Sequence, residues 1–249
     1  RGTIRLLEGN GWLRSDHAYG DFLLHVEWKA EKDSNYDAGI YIRTKPGGAP
    51  FPSQGYQLNL LEGKEGACGS LKGATPPPGL IRKGRWNSFD IIVVEDSVSL
   101  AINGKPAYRA EGITIDRGHI GLQVEVPGGG RFAIRNVQIT ELGYQSLFNG
   151  RNHQGWEGAG SPGKSCWRVS RQKPAANFSK LWARAVARYQ DLGGDPAGLK
   201  GLTKKELGDG IIECTGTKGP WLRTAAQFGD FNFRFQYQVA PGGNSGIYV

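Results

Sequence analysis

Six polar side chains in the first half of the sequence are spaced so as to share one surface. Tyr41 and Arg43 stand two residues apart in an alternating run, as do Gln57 and Asn59, and Gln123 and Glu125. In a strand, residues i and i+2 point to the same face, so each pair forms the polar face of its own strand. Together they offer a phenol, a guanidinium fork, three amides and a carboxylate. A guanidinium suits a carboxylate, an enolate or a pair of hydroxyls, and amides hold hydroxyls as donors and acceptors. The alternative is an ordinary solvated strand face. Trp86, followed by Asn87, is either a flat apolar platform for a ligand ring or a core residue.

Other chemistries find little support. His17, His25, His119 and His153 lack metal-ligand spacing, so a divalent metal stays possible without a ligand motif, and the cofactor is unknown. Gly128-Gly129-Gly130 is not followed by the Lys-Ser/Thr and helix of a phosphate loop and reads as a hairpin tip. Cys68, Cys166 and Cys214 are too few for a disulfide framework; they allow one bridge at most, and buried small apolar residues are the plainer expectation.

The elements that must position these groups emerge from an internal repeat. Trp12-Leu13-Arg14, Gly20-Asp21-Phe22 and Gly39-Ile40-Tyr41 recur in order as Trp221-Leu222-Arg223, Gly229-Asp230-Phe231 and Gly246-Ile247-Tyr248. Phe22, Leu24, Val26 and Trp28 alternate with less apolar residues, as do Phe231, Phe233, Phe235, Tyr237 and Val239, which predicts a half-buried strand in each copy. Further strands are expected over 56–61, 89–95, 98–102, 119–126 and 132–140, with a two-residue hairpin at Asn103-Gly104. With 39 Gly, 13 Pro, seven Trp, nine Tyr and ten Phe, the composition suits many short strands and tight turns, and the class is all-β. No apolar run approaches the roughly 20 residues of a membrane helix.

The first copy is expected over 1–143 and the second over 144–249, the first lacking its opening segment and the second holding only its early strands. Further residues are therefore expected beyond both ends. Between about 171 and 208 the second copy carries an insertion. Residues 171–205 hold eight Lys/Arg against Asp191 and Asp195, much of the chain's net charge of +8. Phe178, Leu181, Trp182, Ala185 and Tyr189 fall at helical spacing with Lys180, Arg184 and Arg188 opposite, which predicts an amphipathic helix docked by its apolar face. Its basic side lacks interleaved aromatics, so nucleic acid is not an expected partner.

The ordered motifs S-L-F-N-G, D-G-I-I-E-C, G-D-F, G-G-N-S-G-I-Y, G-Y-Q-L-N, W-N-S-F-D, I-N-G-K and I-G-L-Q resemble the 3-keto-disaccharide hydrolase domain. The resemblance implies two concanavalin A-like jelly-roll β-sandwiches in tandem, a secreted or periplasmic location, and a carbohydrate partner, an oxidised glycoside or disaccharide. It also implies the chemistry: a 3-keto group acidifies the proton on carbon 2, so one base can remove it, an electrophile can hold the enolate, and the leaving group departs from carbon 1 before water adds. Arg43 and Glu125 are the expected catalytic groups, with Tyr41, Gln57, Asn59, Trp86, Gln123 and, in the second copy, Asn244 holding substrate. Family members resemble one another in having Glu where this chain has Gln57, His where it has Glu125, and Asn-Ser where it has Asp37-Ala38. These departures favour an alternative, a carbohydrate-binding module without turnover, for the first copy; a purely structural sandwich is a third reading.

Overall fold

The computed structural model describes residues 2–143, 146–158, 166–171, 187, 189–194, 210–215, 221–229, 231, 233, 235 and 237–249. The chain divides into two units, Arg1–Ser146 with Lys173–Glu206, and Leu147–Gln172 with Leu207–Val249.

The first unit is an antiparallel β-sandwich. Its strands are β1 (Asn10–Arg14), β2 (Phe22–Ala30), β3 (Ala38–Thr44), β4 (Tyr56–Asn59), β5 (Asn87–Val94), β6 (Ser97–Ile102), β7 (Lys105–Glu111), β8 (His119–Glu125) and β9 (Phe132–Glu141). One sheet runs β1-β8-β3-β4 and the other β7-β6-β5-β2-β9, so the chain crosses repeatedly between layers in the jelly-roll manner. Alternation explains the core: Phe22, Leu24, Val26 and Trp28 of β2 meet Ala38, Ile40 and Ile42 of β3, Phe89, Ile91 and Val93 of β5, and Ile120, Leu122 and Val124 of β8. Trp28 packs edge-on against Phe89 at 5.6 Å between ring centres. Burying each such ring contributes about 1.5–3 kcal/mol. The β6–β7 hairpin turns at Asn103 and Gly104, with φ of 52° and 85°, the left-handed pair a two-residue loop needs.

Two expectations are corrected here. Residues 128–130 are not a hairpin tip: a short helical turn, α1 (Val126–Gly129), leads from β8 in one sheet to β9 in the other. Gly129 is required there because any Cβ would strike the Asp37 main chain. Nor is the outer face of β2 simply solvated. Leu23 is buried in a second cluster with Ile92, Leu142 and Tyr189, and His25 is buried with Nδ1 2.6 Å from Asp90 Oδ1. Tyr189 thus carries the one described part of the predicted docked helix face; Phe178, Lys180, Leu181, Trp182, Arg184, Ala185 and Arg188 lie outside the described residues.

In the second unit two ladders are described. β10 (Trp156–Glu157) pairs with β13 (Arg223–Thr224), and β11 (Trp167–Arg171) with β12 (Gly210–Cys214), all antiparallel. Phe231, Phe233, Phe235, Tyr237 and Val239, expected as the inner face of a strand, are exposed and belong to no ladder among the described residues. Their counterpart β2 is held between β5 and β9 in the first unit. Cys214 is exposed, contrary to the expectation that each cysteine is buried, while Cys68 and Cys166 are buried.

Candidate functional site

The polar face of the four-stranded sheet collects most of the candidate side chains, because its register aligns them. Gln57 stands opposite Tyr41 and Asn59 opposite Gly39 on β4 and β3; Gly39 stands opposite Gln123, and Gln123 opposite Trp12, across β8 to β1. Residues directly opposite in a ladder share a face, so one row runs from β4 to β1.

That row is hydrogen-bonded. Gln57 Nε2 donates to Gln123 Oε1 at 2.7 Å, and Gln123 Nε2 donates to Glu125 Oε1 at 2.8 Å. Gly39 makes the first bond possible: a Cβ at that position would fall on Gln57 Nε2 and Gln123 Oε1. Gln123 is only 2% exposed, whereas Gln57, Glu125, Tyr41 and Asn59 are half-buried and face outward. Asn59 Nδ2 donates to the Ala67 carbonyl at 3.2 Å, which leaves its side-chain oxygen as the available acceptor.

Two residues outside the expected set complete the surface. Trp12 lies over Gly121, where a Cβ would come within 2.9 Å of the indole and 3.1 Å of Tyr41 Cβ. Its Nε1 donates to the Gly48 carbonyl at 3.1 Å, so the ring is fixed beside Tyr41 by its polar edge. Asp37, directly before β3, is close enough to Glu125 for the two carboxylates to repel. Burial first, and then Asp37, raises the Glu125 carboxyl above its ordinary range, against the lowering effect of the Gln123 amide. Burial likewise raises Asp37, opposed by the Ala38 N–H, and burial with the two carboxylates raises the Tyr41 phenol. The signal for Trp12 in the sequence was its recurrence as Trp221; that for Asp37 was its place opposite Asn244 in the repeat.

Arg43 is not on this face, and strict alternation with Tyr41 is corrected. The β3–β8 register slips between Tyr41 and Thr44, and Arg43 has φ of 49°, so its side chain turns away and is 2% exposed. Its guanidinium donates to Asp21 Oδ1 at 2.8 Å and to the carbonyls of Glu95 at 2.7 Å, Ile115 at 2.9 Å and Gly20 at 3.3 Å. It is a clamp between loops, with its donors spent inside the protein. Trp86 is neither a platform on this face nor a core residue: it is half-buried beside β5 of the other sheet, with the Arg135 guanidinium carbon 3.8 Å from its ring centre. Asn244 belongs to the second unit and is exposed there.

The site therefore offers a fixed indole, a phenol, a row of amides and two mutually repelling carboxylates, one of them ending the row. Among the described residues no three His, Cys, Asp or Glu side chains converge as metal ligands. No helix described is long and apolar enough to cross a membrane.

Comparison with known proteins adds the following. The profile of the 3-keto-alpha-glucoside-1,2-lyase-like domain matches residues 1–140 and again residues 143–249. No curated protein matches the chain. Among solved structures, a candidate glycosyl hydrolase from Parabacteroides distasonis is 17% identical, with a TM-score of 0.47 over 57% of this chain and 87% of that one. A carbohydrate-binding module from Bacillus subtilis is 14% identical, with a TM-score of 0.41 over 54% of this chain and 83% of that one. The β-glucanase of Bacillus licheniformis is 16% identical, with a TM-score of 0.39 over 51% of this chain and 70% of that one.

Proposed function

We propose that this chain, which belongs to the 3-keto-alpha-glucoside-1,2-lyase-like domain family in two successive copies, acts on glycosides oxidised at carbon 3, and that its first sandwich recognises the sugar without turning it over. The observation that carries the second half is the row from Gln57 through Gln123 to Glu125 beneath a fixed Trp12. An indole face suits the C–H side of a pyranose ring, and amides and carboxylates at the rim suit its hydroxyls. Elimination needs a base and also a group that stabilises the enolate. The guanidinium that resembled such a group, Arg43, is spent on Asp21 and three carbonyls. Gln57, a neutral amide, takes no proton at neutral pH.

One observation favours turnover instead. The Glu125 carboxyl is raised by burial and by Asp37, which moves it toward the range of a useful base. The two readings part in one experiment. The first sandwich, within the whole chain, is titrated with a 3-keto-glucoside and with the parent glucoside by calorimetry, and release of the aglycone is followed in parallel. Binding of the keto-sugar that survives Glu125→Gln, with any turnover by the chain unaffected by that change, is expected. Turnover abolished by Glu125→Gln in a folded protein would make Glu125 the base and sink the recognition-only reading.

A further inference from the structure

Cys166 and Cys214 sit at the open end of the β11–β12 ladder, away from the Arg171–Gly210 rung at which the insertion leaves it. Cys214 stands opposite Trp167, and the next rung is made by Cys166 itself, whose carbonyl accepts from the Thr215 N–H at 2.8 Å. The two cysteines are thus cross-strand neighbours one position out of register. Cys166 lies just outside β11, where the strict alternation of faces no longer applies, and its thiol hydrogen-bonds to Cys214. That contact, and then burial, hold the Cys166 thiol above its ordinary range. Cys166 is buried and Cys214 exposed. The third cysteine, Cys68, is buried in the core of the first unit beside Ser70.

We propose that Cys166 and Cys214 are a redox site that closes to a disulfide by exchange with a small-molecule disulfide. The asymmetry of exposure orders the steps. The Cys214 thiolate, reachable from solvent, attacks the small-molecule disulfide, forms a mixed disulfide and releases one thiolate. The Cys166 thiolate then attacks the Cys214 sulfur and expels the second. One S–S bond is made and one is broken, and the two protons lost by the cysteines end on the two small thiols. The bond would close the end of the ladder opposite to Arg171 and Gly210, so that residues 166–214, the insertion among them, lie in one covalent loop.

The test equilibrates the whole chain in a buffer of small-molecule thiol and disulfide, unfolds it without reductant, alkylates free thiols and maps the peptides by mass. One alkylated cysteine, Cys68, with the Cys166 peptide joined to the Cys214 peptide, is expected. Adding reductant should lower the melting temperature of the second unit to that of the Cys166→Ser/Cys214→Ser double variant, which itself should ignore the reductant. Three alkylated cysteines, or a bond that uses Cys68, would overturn the assignment. A joined pair whose reduction leaves the melting temperature unmoved would overturn the role as a staple.

Discussion

Gln123 donates through Nε2 to Glu125 at 2.8 Å while accepting from Gln57, so the carboxylate of Glu125 is tied to β4 through an amide that is itself almost inaccessible. The bond lowers the Glu125 carboxyl, yet burial and Asp37 outweigh it. A carboxyl raised on folding favours the folded state most when protonated. Its stabilising contribution is complete below the unfolded value, about 4.3, and is lost as pH rises through the higher folded value. Glu125→Gln is therefore expected to raise the melting temperature at pH 7 relative to the parent, with the gap closing as pH falls below about 4. Melting curves of the two proteins from about pH 3 to about pH 8 check this; a gap that widens in acid would mean that the carboxylate is stabilised by folding.

Arg43 makes a different demand. Removing its guanidinium leaves Asp21 with the Glu95 N–H at 2.9 Å but without its cation, and takes these donors from the carbonyls of Glu95, Ile115 and Gly20. Arg43→Ala is expected to cost about 3 kcal/mol of stability by urea unfolding, the usual scale for breaking a buried ion pair from one side. Ligand affinity measured where the variant is still folded should be unchanged. A stable variant with lost affinity would return Arg43 to the ligand-facing surface.

How far the sequence carried these assignments depended on whether a feature obeyed a period. The core of β2 and the Asn103-Gly104 hairpin follow from alternation and turn chemistry, and the structure places both as expected. Arg43 broke the period because a non-glycine residue adopts a left-handed φ at a bulge, and nothing in its own identity announces that. The matching trace is in the neighbouring strand's approach, where Gly118 has no Cβ because one would fall on the Arg43 main chain. The surface row needed pairing as well as alternation: Gln57 and Gln123 are 66 positions apart and meet only through β3 between them. Trp12 was hidden in a five-residue strand too short to show a period, although its repeat as Trp221 was visible.

Tyr189 tests the covering of the sheet's outer face. It is buried with Leu23, Ile92 and Leu142, in a chain segment otherwise separated in sequence from the first sandwich. Tyr189→Ala is expected to destabilise the first unit by about 2–4 kcal/mol, the range for truncating a large buried side chain. Denaturant unfolding of the variant, read from the first unit's Trp28 environment, checks it. A change below about 0.5 kcal/mol, the level of surface substitutions, would show that the outer face of β2 does not depend on this cover.

Trp12 and Trp86 separate the proposed recognition surface from the rest of the molecule. Trp12 is fixed over Gly121 beside Tyr41 with its Nε1 bound to Gly48, on the sheet that carries Gln57, Gln123 and Glu125. Trp86 belongs to the other sheet, and its ring is already covered by Arg135, which in turn is paired with Glu27 at 2.7 Å. Loss of an aromatic stacking face should cost about 1.5 kcal/mol, roughly tenfold in Kd for a keto-glucoside. Trp12→Ala is expected to show that loss, and Trp12→Phe to recover part of it, because a smaller ring keeps the apolar face without the Nε1 anchor. Trp86→Ala should leave Kd within twofold or so while costing some stability, since it removes only the Arg135 contact. Calorimetric titration of the three variants decides between the faces. Affinity that falls for Trp86→Ala and holds for Trp12→Ala would place the sugar on the five-stranded sheet and remove the basis for the recognition row.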